Sequence, residues 1–259
     1  NKIFNDSKIK TDFLTGKTSN SERKIKINAL KENNINIIFG THSLFQKKTE
    51  FGNLGLIIID EQHKFGVKQR MELSKKGGEN CDILVMSATP IPRTLIMTFY
   101  GDMDVSKLTE KPSHRKEIIS LSKPEIKIHE VIKFIKKEIT DKNQIFWVCP
   151  LIDESKKLDY EAAVKKFEYL NKIFTGKVGL IHGSLENEQK EIVLRNFLDK
   201  KIKILVSTTV IEVGIDFPNA NVIVIENSNK FGLSQLHQLR GRVGRSNMQG
   251  TCILLYKKK

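Results

Sequence analysis

The feature that most narrows the fold is a rhythm: short, nearly unbroken apolar runs of strand length, separated by longer stretches with helical spacing. The runs are 35–40 (INIIFG), 54–60 (LGLIIID), 82–87 (DILVMS), 143–149 (NQIFWVC), 177–182 (KVGLIH), 202–207 (IKILVS), 221–226 (NVIVIE) and 250–255 (GTCILL). Most are rich in β-branched residues, which favour strands. A strand that is apolar throughout suits a parallel sheet buried on both faces. The intervening segments 19–33, 124–140, 159–174 and 186–200 carry helical spacing. Ser19-x-x-Glu22 predicts a capping box for the first of them, and Pro124 stands near the first turn of the second. The expected class is α/β with mainly parallel sheets.

The alternation breaks around 107–124, where Pro112, Ser113, Pro124 and mixed charges intervene. Two domains are therefore expected, 1–110 and 124–259, joined by a linker at 111–123. Their combined 259 residues allow each to bury its own core. Lys and Arg number 44 against 30 Asp and Glu, giving a net charge of +14. That excess fits a polyanionic partner as well as it fits a lysine-rich solvated surface, so the motifs must decide. Cys81, Cys149 and Cys252 lie far apart without His or Cys at metal-ligand spacing, which argues against a disulfide framework or zinc and for a reducing cytoplasm. No apolar run approaches the ~20 residues needed to cross a bilayer, so a soluble protein is expected.

The strongest local signal is Ile57-Ile58-Ile59-Asp60-Glu61-Gln62-His63, an apolar strand that ends in two acids. In an open α/β sheet ligands bind beyond the carboxyl ends of the strands, where this strand delivers both carboxylates. One carboxylate can hold Mg²⁺ on a nucleotide's phosphates while its neighbour positions the attacking water. Asp60 suits the metal and Glu61 the water. A second strand exit carries Ser87-Ala88-Thr89-Pro90, presenting hydroxyls to the same cleft. A third segment, Gln235 to Arg245, places Arg242 and Arg245 three residues apart, read as one side of a helix. Their guanidiniums can stabilise charge that builds up in phosphoryl transfer, or contact a nucleic-acid backbone.

Taken in order, Asp60-Glu61-Gln62-His63, Ser87-Ala88-Thr89, the Ser207 to Asp216 segment and Gln238 to Arg245 resemble motifs II, III, V and VI of superfamily 2 helicases. Longer strings are similar to the RecG family within it: DEQHKFGVKQR at 60–70, SATPIPRT at 87–94, FYGDMDV at 99–105, WVCPLIDES at 147–155 and IENSNKFGLSQLHQLRGRVGRS at 225–246. The resemblance implies two RecA-like domains, the first incomplete, with ATP and Mg²⁺ between them and DNA across both. It implies that Asp60 holds Mg²⁺, that Glu61 activates water, and that His63 and Gln238 link nucleotide state to the facing domain. Gly214 and Asp216 would meet the nucleotide, Ser87 and Thr89 would couple hydrolysis to movement, and Arg242 and Arg245 would be γ-phosphate sensor and arginine finger. DNA contacts would come from Thr15, Gly16, Thr41, Ser43, Thr208 and Thr209. The implied protein is a bacterial, cytoplasmic, monomeric ATP-dependent helicase that remodels branched or duplex DNA in recombination and repair.

Departures from the family pattern temper these expectations. Leu14-Thr15-Gly16-Lys17-Thr18 imitates the end of a Walker A motif, but position 11 is Thr where an earlier glycine belongs, so the segment is read as a decoy. With Asn1 first and a strand-like run last, both ends read as cut, and the phosphate-binding lysine is expected upstream together with a fork-splitting domain. The chain alone is accordingly expected to turn over little ATP. A transcription–repair coupling translocase shares SATPIPRT and GRVGR, and a DNA-binding module without hydrolysis is the alternative from another class. His42, His114, His129, His182 and His237 lack partners at ligand spacing, and Trp147 sits in an apolar strand, so core or surface roles are expected for all six.

Overall fold

The computed structural model describes residues 4, 7–61, 72–73, 75–78, 80–87, 104–110, 112, 115–150, 156–208 and 217–257, with side chains from 161 onward in the helix that begins at 156. The chain divides into two compact units, Asn1–Val105 and Ser106–Lys259.

In the first unit, β1 (Thr11–Leu14) leads into α1 (Asn20–Lys31) and then β2 (Ile37–Gly40), followed by β3 (Leu56–Ile59) and β4 (Asp82–Val85). The strands pair in parallel, β1 with β2 and β3 with β4. Ser19 caps α1 as expected: its side chain accepts the Glu22 N–H while the Glu22 side chain reaches back to the Ser19 backbone. Among the described residues the apolar cluster here is small, with Phe45, Ile57, Ile59 and Leu73 at its centre.

The second unit is built on one six-stranded parallel sheet in the order β5-β10-β9-β6-β8-β7. Its strands are β5 (Ile119–Pro124), β6 (Gln144–Val148), β7 (Val178–Ile181), β8 (Ile204–Ser207), β9 (Ala220–Ile225) and β10 (Thr251–Tyr256). Its helices are α2 (Ile128–Thr140), α3 (Lys156–Ile173), α4 (Asn187–Leu198) and α5 (Leu233–Arg240). Successive strand residues point to opposite faces, and both faces are packed. Ile145, Trp147, Val206 and Val224 meet α2 and α3 on one side. Phe146, Val148, Leu205 and Ile223 join Phe197 of α4 and Leu239 of α5 on the other. Trp147 is fully buried, as its strand context predicted.

The sequence placed a linker at 111–123, but Ile119–Pro124 forms the edge strand β5, in register with β10. Pro124 closes that strand and precedes a short 3₁₀ turn, so α2 starts at Ile128 rather than at the proline. An edge strand tolerates polar residues and a terminal proline, which is why its ISLSKP sequence carried no apolar signal.

Candidate functional site

The acid pair leaves β3 directly. Ile59 pairs with Val85 of β4, and the Met86 N–H donates to the Ile59 carbonyl at 2.8 Å. Asp60, Glu61 and Ser87 therefore emerge side by side from adjacent carboxyl ends, the placement expected of a phosphate-handling edge. Asp60 is exposed, and its Oδ1 accepts the Glu61 N–H at 2.8 Å. That single bond leaves the other carboxylate oxygen available to a cation. Mg²⁺ is commonly held by one or two carboxylates, with phosphate oxygens and water completing its shell. Asp60 fits that demand, and among the described residues no group of three or more His, Cys, Asp or Glu forms a protein cage for a metal. Glu61 is half-buried with a left-handed backbone at φ 48°. An L-residue there costs about 1–2 kcal/mol, so the turn that aims this carboxylate is locally strained.

A second pair of strand ends lies in the same unit. Leu14 of β1 is in register with Gly40 of β2, which brings Thr15-Gly16 and Thr41 to neighbouring exits. Two side chains distant in sequence brace these loops. Arg23 of α1 donates from Nη2 to the Thr15 carbonyl at 2.9 Å and from Nη1 to Gln46 Oε1 at 3.2 Å. Lys76 donates to the carbonyls of Leu44 and Thr49 at 3.2 and 2.8 Å, and burial lowers its pKa. Neither was singled out by the sequence reading, because each acts through backbone carbonyls that no local motif reveals. Gly40 admits no side chain, since a Cβ there would sit 2.5 Å from the Leu14 carbonyl. Thr41 and Gly16 are exposed, whereas Ser43 is only 3% exposed, so its hydroxyl is not offered at the surface as expected. It belongs to a 3₁₀ turn whose own carbonyl accepts the Thr49 hydroxyl.

The Gly16-Lys17-Thr18 imitation resolves here. In a phosphate-binding loop the Lys-Thr pair opens the following helix, but here α1 begins only after the Ser19 cap. The Thr18 hydroxyl instead accepts the Thr15 N–H at 3.1 Å within a tight turn.

In the second unit, α5 carries Gln238 and ends at Arg240, with Gly241 as its C-cap. Arg242 and Arg245 therefore do not share a helix face. They lie on the turn beyond the helix, which contains Gly244 at φ +66°. The sequence reading missed this stop because Leu-Arg-Gly-Arg-Val is compatible with another helical turn, and the break comes from tertiary contacts at the glycines. The Arg245 Nε donates back to the Gly241 carbonyl at 3.3 Å. Thr208 follows β8 and is 3% exposed, so this hydroxyl too is covered. His63, Thr89, Thr209, Gly214 and Asp216 lie outside the described residues.

One buried ion pair escaped the sequence altogether. Lys166 of α3 meets Glu226, just past β9, at 2.6 Å. The Cys149 Sγ lies 3.7 Å from Glu226 Oε2. Burial first, then the Glu226 charge, push the Cys149 thiol well above its ordinary value.

Two helicase families match the chain in the order of its units: DEAD/DEAH box helicase over residues 1–98 and helicase conserved C-terminal domain over residues 126–247. Parallel-sheet units matched by these two models in this order make the chain a superfamily 2 helicase core. Curated relatives then narrow the class. The ATP-dependent DNA helicase RecG of Thermotoga maritima is 49% identical over 97% of this chain, and that of Bacillus subtilis 45% identical over 98%. The chain belongs to the RecG family, and it spans 32% and 37% of those two relatives. A solved structure of RecG bound to a three-way DNA junction superposes with a TM-score of 0.72 at 44% identity, covering all of this chain and 33% of that one. The helicase Lhr of Mycobacterium smegmatis, bound to single-stranded DNA and AMP-PNP, shares the fold at a TM-score of 0.69 and 17% identity, covering 96% of this chain and 35% of that one.

Proposed function

We propose that this chain is the ATP-driven motor of a DNA helicase that remodels branched DNA, such as stalled forks and Holliday junctions, as a monomer in the bacterial cytoplasm. The observation that carries the reading is the exit of Asp60-Glu61 beside Ser87 from paired parallel strands, in a chain 44% identical to a RecG solved on a three-way junction. Asp60 would hold Mg²⁺, which when bound would supply charge neutralisation on phosphate oxygens. Glu61 orients the attacking water and takes its proton. Arg242 and Arg245 stabilise the charge that accumulates on the transferred group. His63, Ser87, Thr89 and Gln238 report nucleotide state, and Gly214 with Asp216 contacts the nucleotide.

On the DNA side, Thr15, Gly16 and Thr41 stand at neighbouring strand exits, where hydroxyls and backbone N–H groups can follow phosphates without reading bases. Thr209 serves the same purpose in the second unit, whereas Thr208, like Ser43, is covered and supports its loop from inside. The +14 net charge supplies long-range attraction for the duplex.

The test is Glu61→Gln in the full-length protein, with a forked DNA as stimulant. ATP should still bind while steady-state phosphate release falls by about a hundred- to ten-thousand-fold. Turnover within about twofold of the parent would remove Glu61 from the chemistry and the reading with it.

A further inference from the structure

The turn that carries Arg242 and Arg245 is tied to α5 only at its start, where the Gly241, Arg242 and Val243 N–H groups donate to the His237, Leu239 and Arg240 carbonyls. The stretch that opens the second unit runs alongside it and touches it repeatedly. Arg115 donates from Nε to the Gly244 carbonyl at 3.2 Å and from Nη2 to the Gly241 carbonyl at 3.4 Å. Two residues on, the Glu117 carbonyl accepts the Gln249 side-chain N–H. Ile118 packs where a Cβ on Gly244 or Gly250 would fall, at 3.3 and 3.2 Å, and the Ile119 N–H donates to the Gly250 carbonyl at 2.9 Å. Residues 115–119 thus extend the β5–β10 pairing into a brace along the turn from 241 to 250.

From this we infer that Arg115 is a positioning residue: its guanidinium fastens the two glycine carbonyls that bracket Arg242 and so fixes the direction in which Arg242 and Arg245 point. The inference rests on the reading of those two arginines as phosphate-sensing groups. Three features support it. Gly241 accepts from both Arg115 and Arg245, so the same carbonyl fixes the brace and the functional arginine together. Gly244 has a left-handed backbone, a conformation the chain leaves readily without a restraint because glycine has the widest conformational freedom. A guanidinium presents donors in a fixed planar fork and can bridge two carbonyls at once, whereas an ammonium is a point charge.

Arg115→Ala and Arg115→Lys in the full-length protein test this with two independent readouts. Hydrogen exchange of the peptide covering 241–245, without nucleotide or DNA, should accelerate about tenfold in both variants while the thermal midpoint of the second unit stays within a few degrees. DNA-stimulated kcat should fall by about a hundredfold, with KM for ATP and affinity for forked DNA within about twofold, as for a misplaced group that acts in the transition state. Unchanged exchange at 241–245 in either variant overturns the inference, and so does full recovery of kcat by lysine. If Arg115→Ala does not fold, Arg115→Lys, which keeps the charge and the stem, decides alone. A parent protein without DNA-stimulated turnover would defeat the proposed function, and the exchange measurement would still judge the brace.

Discussion

The two units use strands of the same composition and treat them differently. In the second unit β9 is buried at every position and β6 likewise, because helices cover both faces of the sheet. In the first unit β3 is equally apolar in sequence, yet its residues alternate between exposed and buried. Leu56 and Ile58 are 54% and 56% exposed, and Phe13 and Phe39 stack on each other at 5.3 Å with about half their surface in water. An apolar strand gains full stabilisation only when both faces are dry. A large aliphatic or aromatic side chain contributes about 1.5–3 kcal/mol when fully buried, so each half-exposed one forgoes roughly half. Among the described residues, therefore, the second unit carries the thicker core and the first the thinner one.

The sharpest way to break this comparison is to unfold the units in one chain. Urea should melt the first unit at lower concentration than the second, with a dye that reports apolar surface bound to the first already in buffer, and native-state exchange should show the same order. A single coincident transition would refute it. At the level of residues, Phe146→Ala in the second unit should cost about 3–5 kcal/mol, since its ring is buried against Phe197 and Phe217. Ile58→Ala in the first should cost under about 1 kcal/mol, because more than half of its surface is already wet. Equal costs would mean that something covers β3.

The smallest effect is one of pH. Burial lifts the Cys252 thiol from an ordinary 9.0 to about 11. The folded form binds that proton more tightly than the unfolded chain does. Its contribution is therefore complete below pH 9 and is lost as pH rises through about 11, on the order of 2 kcal/mol. Cys149 shifts in the same direction. Alkylation of the native chain at pH 8 should consequently label the partly exposed Cys81 first and spare the two buried thiols. Rapid labelling of Cys252, with no fall in second-unit stability between pH 9 and 11, would contradict that burial.

Much of this architecture was legible because it is written in local patterns. Apolar runs at 143–149, 202–207 and 221–226 became β6, β8 and β9 within a residue or two at either end, and Ser19 with Glu22 capped the helix it announced. The acid pair and Ser87 were placed at neighbouring exits because both follow such runs. Other features left no local trace. β1 is four residues with an aspartate inside, and β5 alternates serines with apolar residues, so each is a strand only because a neighbour pairs with it.

The amino-acid order alone determined the class of fold and singled out Asp60, Glu61, Arg242 and Arg245 as candidates for the chemistry, since periodicity and residue type act over a few neighbours. Only the tertiary structure decided where α5 stops, that Ser43 and Thr208 turn inward, and that Arg115, Arg23 and Lys76 brace distant loops. Those outcomes depend on carbonyls and glycine contacts brought together from as many as 132 positions apart, a distance over which no sequence pattern carries information.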